Sequence, residues 1–398
     1  MRPRFESLES RQVLAASIIA PAELSGSVDV QLVPLAAVTP GAEEIVTLGV
    51  PFSRGSVTPA QLSQVRVLQD GQEIPAFVEQ LTPWRSIDNP GLDGQFVRVA
   101  RIQVPITFDT LSPETITVQW GEAARTLHRG NLQDPRIEWH PVTSGTFTAA
   151  DNVEEPDVLP LLPAEYLALG LLDAPTRPLN GSVAETRDDP AVMDARTFSG
   201  YDEFDFAQKN FFYTLINQNP GITIDYKTQS EPWLYDRSSS MYELYLRSGF
   251  GTALREAIRS ADFYVDHLNS SGYFSLRAGD PKYAYNEPLA YTYWLLGDDR
   301  MLAPITTVVG AHNGTPSRWS PNLGFWTERN VGYKLLANQI AYEVTGSAAA
   351  KTNVQTIVND LIWHQNGASG QLPADRVDGG LYHTGGQHDA SEVDDPNV

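Results

Sequence analysis

Three copies of Tyr-x-x-x-Gly, at Tyr245–Gly249, Tyr293–Gly297 and Tyr342–Gly346, recur at spacings of 48 and 49 residues. In each copy a stretch with helical periodicity precedes the glycine and another follows it. Glycine just past a helix end takes the left-handed conformation that closes the last turn. Each motif therefore predicts the turn of a helical hairpin, with Ser347 placed to cap the helix after Gly346. A fixed period of this length predicts hairpins that bury their faces on one another, as an array or a closed ring. The clearest apolar stripe is Leu254, Ala257, Ile258, Ala261, Tyr264, Val265 and Leu268, one face held over about four turns. Val354, Ile357, Val358 and Leu361 repeat it. If the ring has six hairpins, about half of it is here, and the chain is expected to be a piece of a longer protein.

The N-terminal part has the other period. Apolar and polar residues alternate at Val28-Asp29-Val30-Gln31-Leu32, at Val97-Arg98-Val99 and at Ile102-Gln103-Val104, as half-buried strands require. Ala100-Arg101 shifts the phase by one residue and predicts a bulge or bend. Asp70-Gly71 joins two β-prone runs over residues 65–76, and this dipeptide supplies the positive φ values of a tight hairpin. Ile116-Thr117-Val118-Gln119-Trp120 reads as a closing strand. Many short strands separated by turns indicate a barrel or sandwich.

At 398 residues two domains are expected. The division is an export or targeting segment over 1–24, a β-barrel or sandwich over 25–125, a Pro/Asp-rich linker or β segment over 126–200, and a partial ring of helical hairpins over 201–398. The basic start at Arg2 and Arg4, followed by the short apolar run Val13–Ala20, fits an export signal and is too short to span a bilayer. The expected location is secreted, periplasmic or on a bacterial cell surface, with no integral membrane segment. A net charge of −21 argues against nucleic-acid binding, because phosphates need a basic surface. The absence of cysteine excludes disulfides, thiolate metal sites and cysteine nucleophiles. Aromatic residues make up 10%, which suits a cleft that stacks on sugar rings as well as it suits a core.

Gly49-Val50-Pro51-Phe52-Ser53-Arg54-Gly55, Val65-Arg66-Val67, Gly71-Gln72-Glu73-Ile74-Pro75-Ala76, Trp84 and Asp93-Gly94-Gln95-Phe96-Val97-Arg98 together resemble the opening barrel of exo-rhamnogalacturonan lyase-like proteins. The resemblance spans about residues 25–120, with a longer insert between Trp84 and Asp93 than the family pattern has. The helical part resembles the six-hairpin toroids shared by lyases and glycosidases, with Trp233-Leu234-Tyr235-Asp236-Arg237 ahead of the first hairpin. The resemblance implies a RIFT-type β-barrel, a middle β segment and an (α/α) toroid. It also implies activity on an acidic polysaccharide, although a fold alone does not set function.

In such a toroid the loops before the first helix of each hairpin line the cleft. They carry Lys227, Tyr235, Asp236 and Arg237, then Lys282, Tyr283, Tyr285, Asn286 and Glu287, then Arg318, Trp319, Trp326, Glu328 and Arg329. A later loop adds Tyr382, His383, His388 and Asp389. A lyase must neutralise the uronate carboxylate while charge develops on the neighbouring carbon. Arg237 and Arg329 are the candidates, since a guanidinium can hold a carboxylate through two hydrogen bonds. Tyr285, Tyr235 and His383 are the candidate bases. Tyr235, Asp236, Lys282, Trp319, Trp326 and Glu328 are expected to contact substrate. A glycosidase would instead draw two carboxylates from Asp236, Glu287 and Glu328. A glycan-binding protein without chemistry is the third reading. No cofactor is required; Ca2+ is the one ion considered, with Asp394 and Asp395 as candidate ligands, and the His383–Asp389 loop reads better as a polar loop than as a metal site.

Overall fold

The computed structural model describes residues 24–143, 147–170, 231–234, 236–277, 279–317, 328–366, 381–382 and 396–397. The export segment and the Asp394-Asp395 pair lie outside these residues.

Strands come first and helices follow. A five-stranded antiparallel sheet runs in the order β10-β1-β7-β3-β4, with β1 at Gly26–Pro34, β3 at Arg66–Gln69, β4 at Gln72–Ile74, β7 at Glu114–Trp120 and β10 at Val158–Leu161. A second sheet has the order β2-β6-β5, from β2 at Glu43–Pro51, β5 at Phe77–Pro83 and β6 at Val97–Thr107. The β3–β4 turn holds Asp70 at φ 51° and Gly71 at φ 75°, the paired positive values its Asp-Gly sequence predicts. Both sheets stay open among the described residues. The stretch read as linker or β segment supplies β8 at Trp139–Pro141, its partner β9 at Glu154–Pro156, and β10 on the edge of the first sheet. A short helix, α1 at Ala164–Gly170, follows.

The bulge expected at Ala100-Arg101 is absent: β6 pairs with β2 without interruption from Val99 to Thr107. Against β5 the register shifts beside this position, with an extra residue first on β5 at Leu81 and then on β6 at Arg98. The physical reason is that β6 is buried on both faces. One face, from Ala100 to Ile106, fills the β core. The other carries Arg101, which bonds the Gly297 carbonyl and Asp299, and Gln103, which bonds Thr47 and the Gln133 backbone, so the polar pair does not mark a solvent side.

Beyond a one-turn helix, α2 at Glu231–Leu234, three helical hairpins stand side by side. They are α3 (Arg237–Ser248) with α4 (Gly251–Asp266), α5 (Glu287–Leu296) with α6 (Leu302–Asn313), and α7 (Glu328–Thr345) with α8 (Ala348–Asn366). The first helices touch in order, α3 to α5 and α5 to α7. Gly249, Gly297 and Gly346 all adopt positive φ, between 66° and 71°, and their amides bond the carbonyls of Tyr245, Tyr293 and Tyr342.

The same tyrosines dock the hairpins on the β portion. Tyr245 Oη accepts from the Leu162 amide at 2.9 Å. Tyr293 Oη donates to the Leu81 carbonyl at 3.2 Å, and Tyr342 Oη to Asp93 at 3.0 Å. One apolar core runs through strands and helices together. Arg98 is sandwiched in it, its guanidinium 5.0 Å from the Trp84 ring and 4.3 Å from the Trp294 ring. Glu155 on β9 clamps α4 through Arg255 and Arg259, at 2.7–2.8 Å.

Candidate functional site

The glycine turns press against the sheets, so the opposite ends of α3, α5 and α7 face away from them. That is where residues distant in sequence meet. The Leu234 carbonyl, exposed by the end of α2, accepts from Tyr285 Oη at 2.6 Å and from Arg329 Nη2 at 3.0 Å. Trp233 fixes α2 here by packing on Phe274 at 4.8 Å and on Phe263 at 5.5 Å. Arg329 also lies 5.4 Å from the centre of the Tyr333 ring, one turn along α7. Tyr333 in turn meets Tyr285 edge-on at 5.4 Å. Burial disfavours charge on Arg329, yet hydrogen bonds to the Tyr333 and Tyr285 hydroxyls keep its proton more firmly held than usual.

The loop before α5 is held from both sides. Tyr264 Oη donates to the Tyr283 carbonyl at 2.8 Å and accepts from the Tyr285 amide at 2.7 Å. His312 Nε2 lies 2.8 Å from the Ala284 carbonyl, and burial pushes this imidazole below its ordinary pKa. Asn286 donates to the carbonyls of Ile305 and Ala337 at 3.1 and 2.8 Å. Such a frame keeps Tyr285 and Lys282 in place before any ligand arrives.

Asp236 caps α3. Its carboxylate accepts from Ser239 Oγ at 2.7 Å and from the Ser239 amide at 3.2 Å. Burial nevertheless raises its pKa to about 6, against both bonds. Its backbone is left-handed, at φ 45° and ψ 67°, a conformation that costs a non-glycine residue about 1–2 kcal/mol. Strain of this kind collects at functional sites. The negative field of Asp236 reaches Tyr285, whose hydroxyl burial has already pushed far above the ordinary phenol range. Tyr285 Oη also contacts the Lys282 carbonyl.

The structure thus brings together Asp236, Lys282, Tyr285 and Arg329. Arg237 is not among them: it is 3% exposed and paired at 2.9 Å with the similarly buried Glu256, between α3 and α4. Glu287 opens α5, where the helix dipole favours a carboxylate, and accepts from Tyr291 Oη at 3.3 Å. Lys282 pairs with Asp280 at 3.5 Å. Tyr235, Trp319, Trp326 and His383, and the side chain of Glu328, lie outside the described residues. Sequence reasoning missed Tyr333, Tyr264 and His312. Only Tyr333 had a signal, its helical i+4 spacing from Arg329.

One other cluster has the composition of a cation site. Glu44, Glu138 and Asp157 hold carboxylate oxygens within 4.8 Å of one another. Burial and the two neighbouring carboxylates raise the Glu44 pKa. His140 Nδ1 lies 2.5 Å from Asp157. This oxygen-rich set suits a hard cation such as Ca2+ better than Zn2+.

In comparisons with known proteins, no family model, no curated protein and no solved structure matches the chain. No described helix is long and apolar enough to cross a membrane.

Proposed function

We propose that the protein is an exported polysaccharide lyase that cleaves a uronate-containing glycan by β-elimination at the Leu234 rim. The observation that carries this reading is the meeting of Arg329 and the Tyr285 hydroxyl on the Leu234 carbonyl, with Tyr333 beside Arg329. In this reading Arg329 holds the uronate carboxylate. Tyr333, beside it and acting in its phenolate form, takes the proton from the carbon next to that carboxylate and becomes the neutral phenol. The electron pair forms the new double bond as the glycosidic C–O bond breaks, and Asp236, protonated below about pH 6, returns a proton to the leaving oxygen. Tyr285 gives its own proton to backbone carbonyls and so positions the others. Lys282 adds positive charge, which offsets the acidity of the chain as a whole. The three hairpins are taken as part of an (α/α) toroid, and the open sheets as the RIFT-type barrel portion of the rhamnogalacturonan lyase-like architecture.

A glycoside hydrolase is the second reading, favoured by Asp236 alone, since a carboxyl held near pH 6 is what a general acid needs. Uronate polysaccharides incubated with the protein separate the two. A lyase releases products with the ultraviolet absorbance of an unsaturated uronate, whereas a hydrolase releases reducing ends without it. Arg329→Ala is expected to lower kcat/KM by about 10²–10³-fold, as loss of one charge-stabilising donor does. Uronate-glycan binding without turnover, unchanged in Arg329→Ala, would overturn both.

A further inference from the structure

A second recess lies on the β portion. On β1, Ser27, Asp29 and Gln31 point outward between the core residues Val28, Val30 and Leu32. Their cross-strand partners on β7 are Gln119, Thr117 and Thr115, and Thr117 Oγ1 donates to Asp29 at 2.7 Å. A polar outer face is ordinary for an antiparallel sheet with one buried side. This face, however, is walled. The Leu161–Glu165 stretch and the Ser248–Gly249 turn stand against it and enclose a groove of about 590 Å3. Through Asp29, Pro163 and Glu165 the groove continues into a recess of about 350 Å3. There the half-buried Tyr166 ring is the aromatic surface, backed at 6.1 Å by the buried Trp120. Each volume falls within the ~300–1,000 Å3 typical of ligand pockets.

The chemistry of the lining selects the ligand. Among the described residues that line both parts there is no lysine, arginine or histidine. The charges are two carboxylates, Asp29 and the exposed Glu165. The neutral polar groups are hydroxyls and one amide, including Thr115, Gln31 and Ser248. A uronate or phosphate would meet like charge and no counter-charge, which counts against it. Sugar hydroxyls, by contrast, donate to carboxylates in charge-assisted hydrogen bonds, and the apolar face of a pyranose stacks on an aromatic ring. We propose that this groove binds an uncharged glycan, at a site separate from the Leu234 rim. The two lie at opposite ends of α3: Asp236 caps its start and Gly249 its end. Twelve helical residues hold them about 18 Å apart. The inference does not depend on the lyase reading, because it concerns binding on another surface.

The test is calorimetric titration of the full chain with uncharged oligosaccharides built from glucose, xylose and galactose, alongside uronate and amino-sugar oligosaccharides. At least one uncharged oligosaccharide is expected to bind. Glu165→Ala, a change at an exposed residue, is expected to weaken that binding about tenfold, the loss of one charge-assisted bond. Arg329→Ala should leave it unchanged. Urea unfolding of Glu165→Ala confirms that the fold is intact. Failure of every uncharged oligosaccharide to bind overturns the proposal. So does binding that Arg329→Ala abolishes and Glu165→Ala does not, or binding confined to cationic amino sugars and lost in salt.

Discussion

Glu155 offers the sharpest test of how the helices are fastened to the strands. Its side chain is 1% exposed and takes four hydrogen bonds, from Arg255 and Arg259, at 2.7–2.8 Å. Burial alone would raise its pKa, but the two guanidinium forks win and lower it from 4.5 to about 2. A carboxylate depressed in the folded state adds stability above its unfolded pKa and loses it as pH falls. The drop from 4.5 to about 2 is worth about 3 kcal/mol near neutrality, and less than half of that remains at pH 3. Glu155→Gln keeps the shape and removes the charge. Urea unfolding at pH 7 should place the variant about 3 kcal/mol below the wild type, and the gap should narrow by more than half at pH 3. An equal gap at both pH values would refute the reasoning, because packing rather than charge would then account for the loss. No gap at pH 7 would refute it as well.

Two further outcomes follow from the same geometry. In Gly297→Ala the new methyl would sit 2.6 Å from Arg101 Cδ at φ +68°. It should destabilise the fold by about 2–4 kcal/mol, whereas Gly279→Ala, at φ +80° with open space around it, should cost only the backbone term of about 1–2 kcal/mol; paired thermal and urea unfolding measures the difference. Asp236→Asn retains a good cap and a residue that tolerates the left-handed backbone. A carboxyl raised from 3.8 to about 6 costs stability as pH climbs through that window, so the variant should be more stable than the wild type at pH 8, by on the order of 1–3 kcal/mol, and no more stable at pH 3. In the proposed elimination, wild-type turnover is expected to decline above about pH 6, and the variant is expected to show no such decline.

The hairpins were legible because their signal is local. A positive-φ glycine ends a helix whatever surrounds it, and three at one period define three turns. The Asp70-Gly71 hairpin was legible for the same reason. The reading of β6 failed because alternation assumes that one side meets water. Helices that begin 180 or more residues later cover Arg101, which donates to the Gly297 carbonyl at 2.9 Å and to Asp299 at 2.8 Å. The pairing of Arg237 was hidden for a similar reason, because Glu256, its partner at 2.9 Å, lies on the next helix. That Tyr285, Asp236 and Arg329 lie at one end of the hairpins was legible because position before a repeated helix is a sequence property. Tyr264 and His312 were not, because their role is to hold a backbone that only the folded chain brings to them.

The repeated tyrosine has a consequence beyond the turn it marks. In a stack of hairpins held only by one another, nothing favours either end as the open one. Here Tyr245, Tyr293 and Tyr342 each bond to the β portion or its connection. Gly49 lets a strand come so close to α5 that a side chain there would overlap the Trp294 carbonyl. That seals one end of the stack with backbone and buried charge. The opposite end holds the starts of α3, α5 and α7, and there Leu234, Tyr285 and Arg329 converge. The repeat therefore orients the array, and the position of the candidate site follows from where the tyrosines bond.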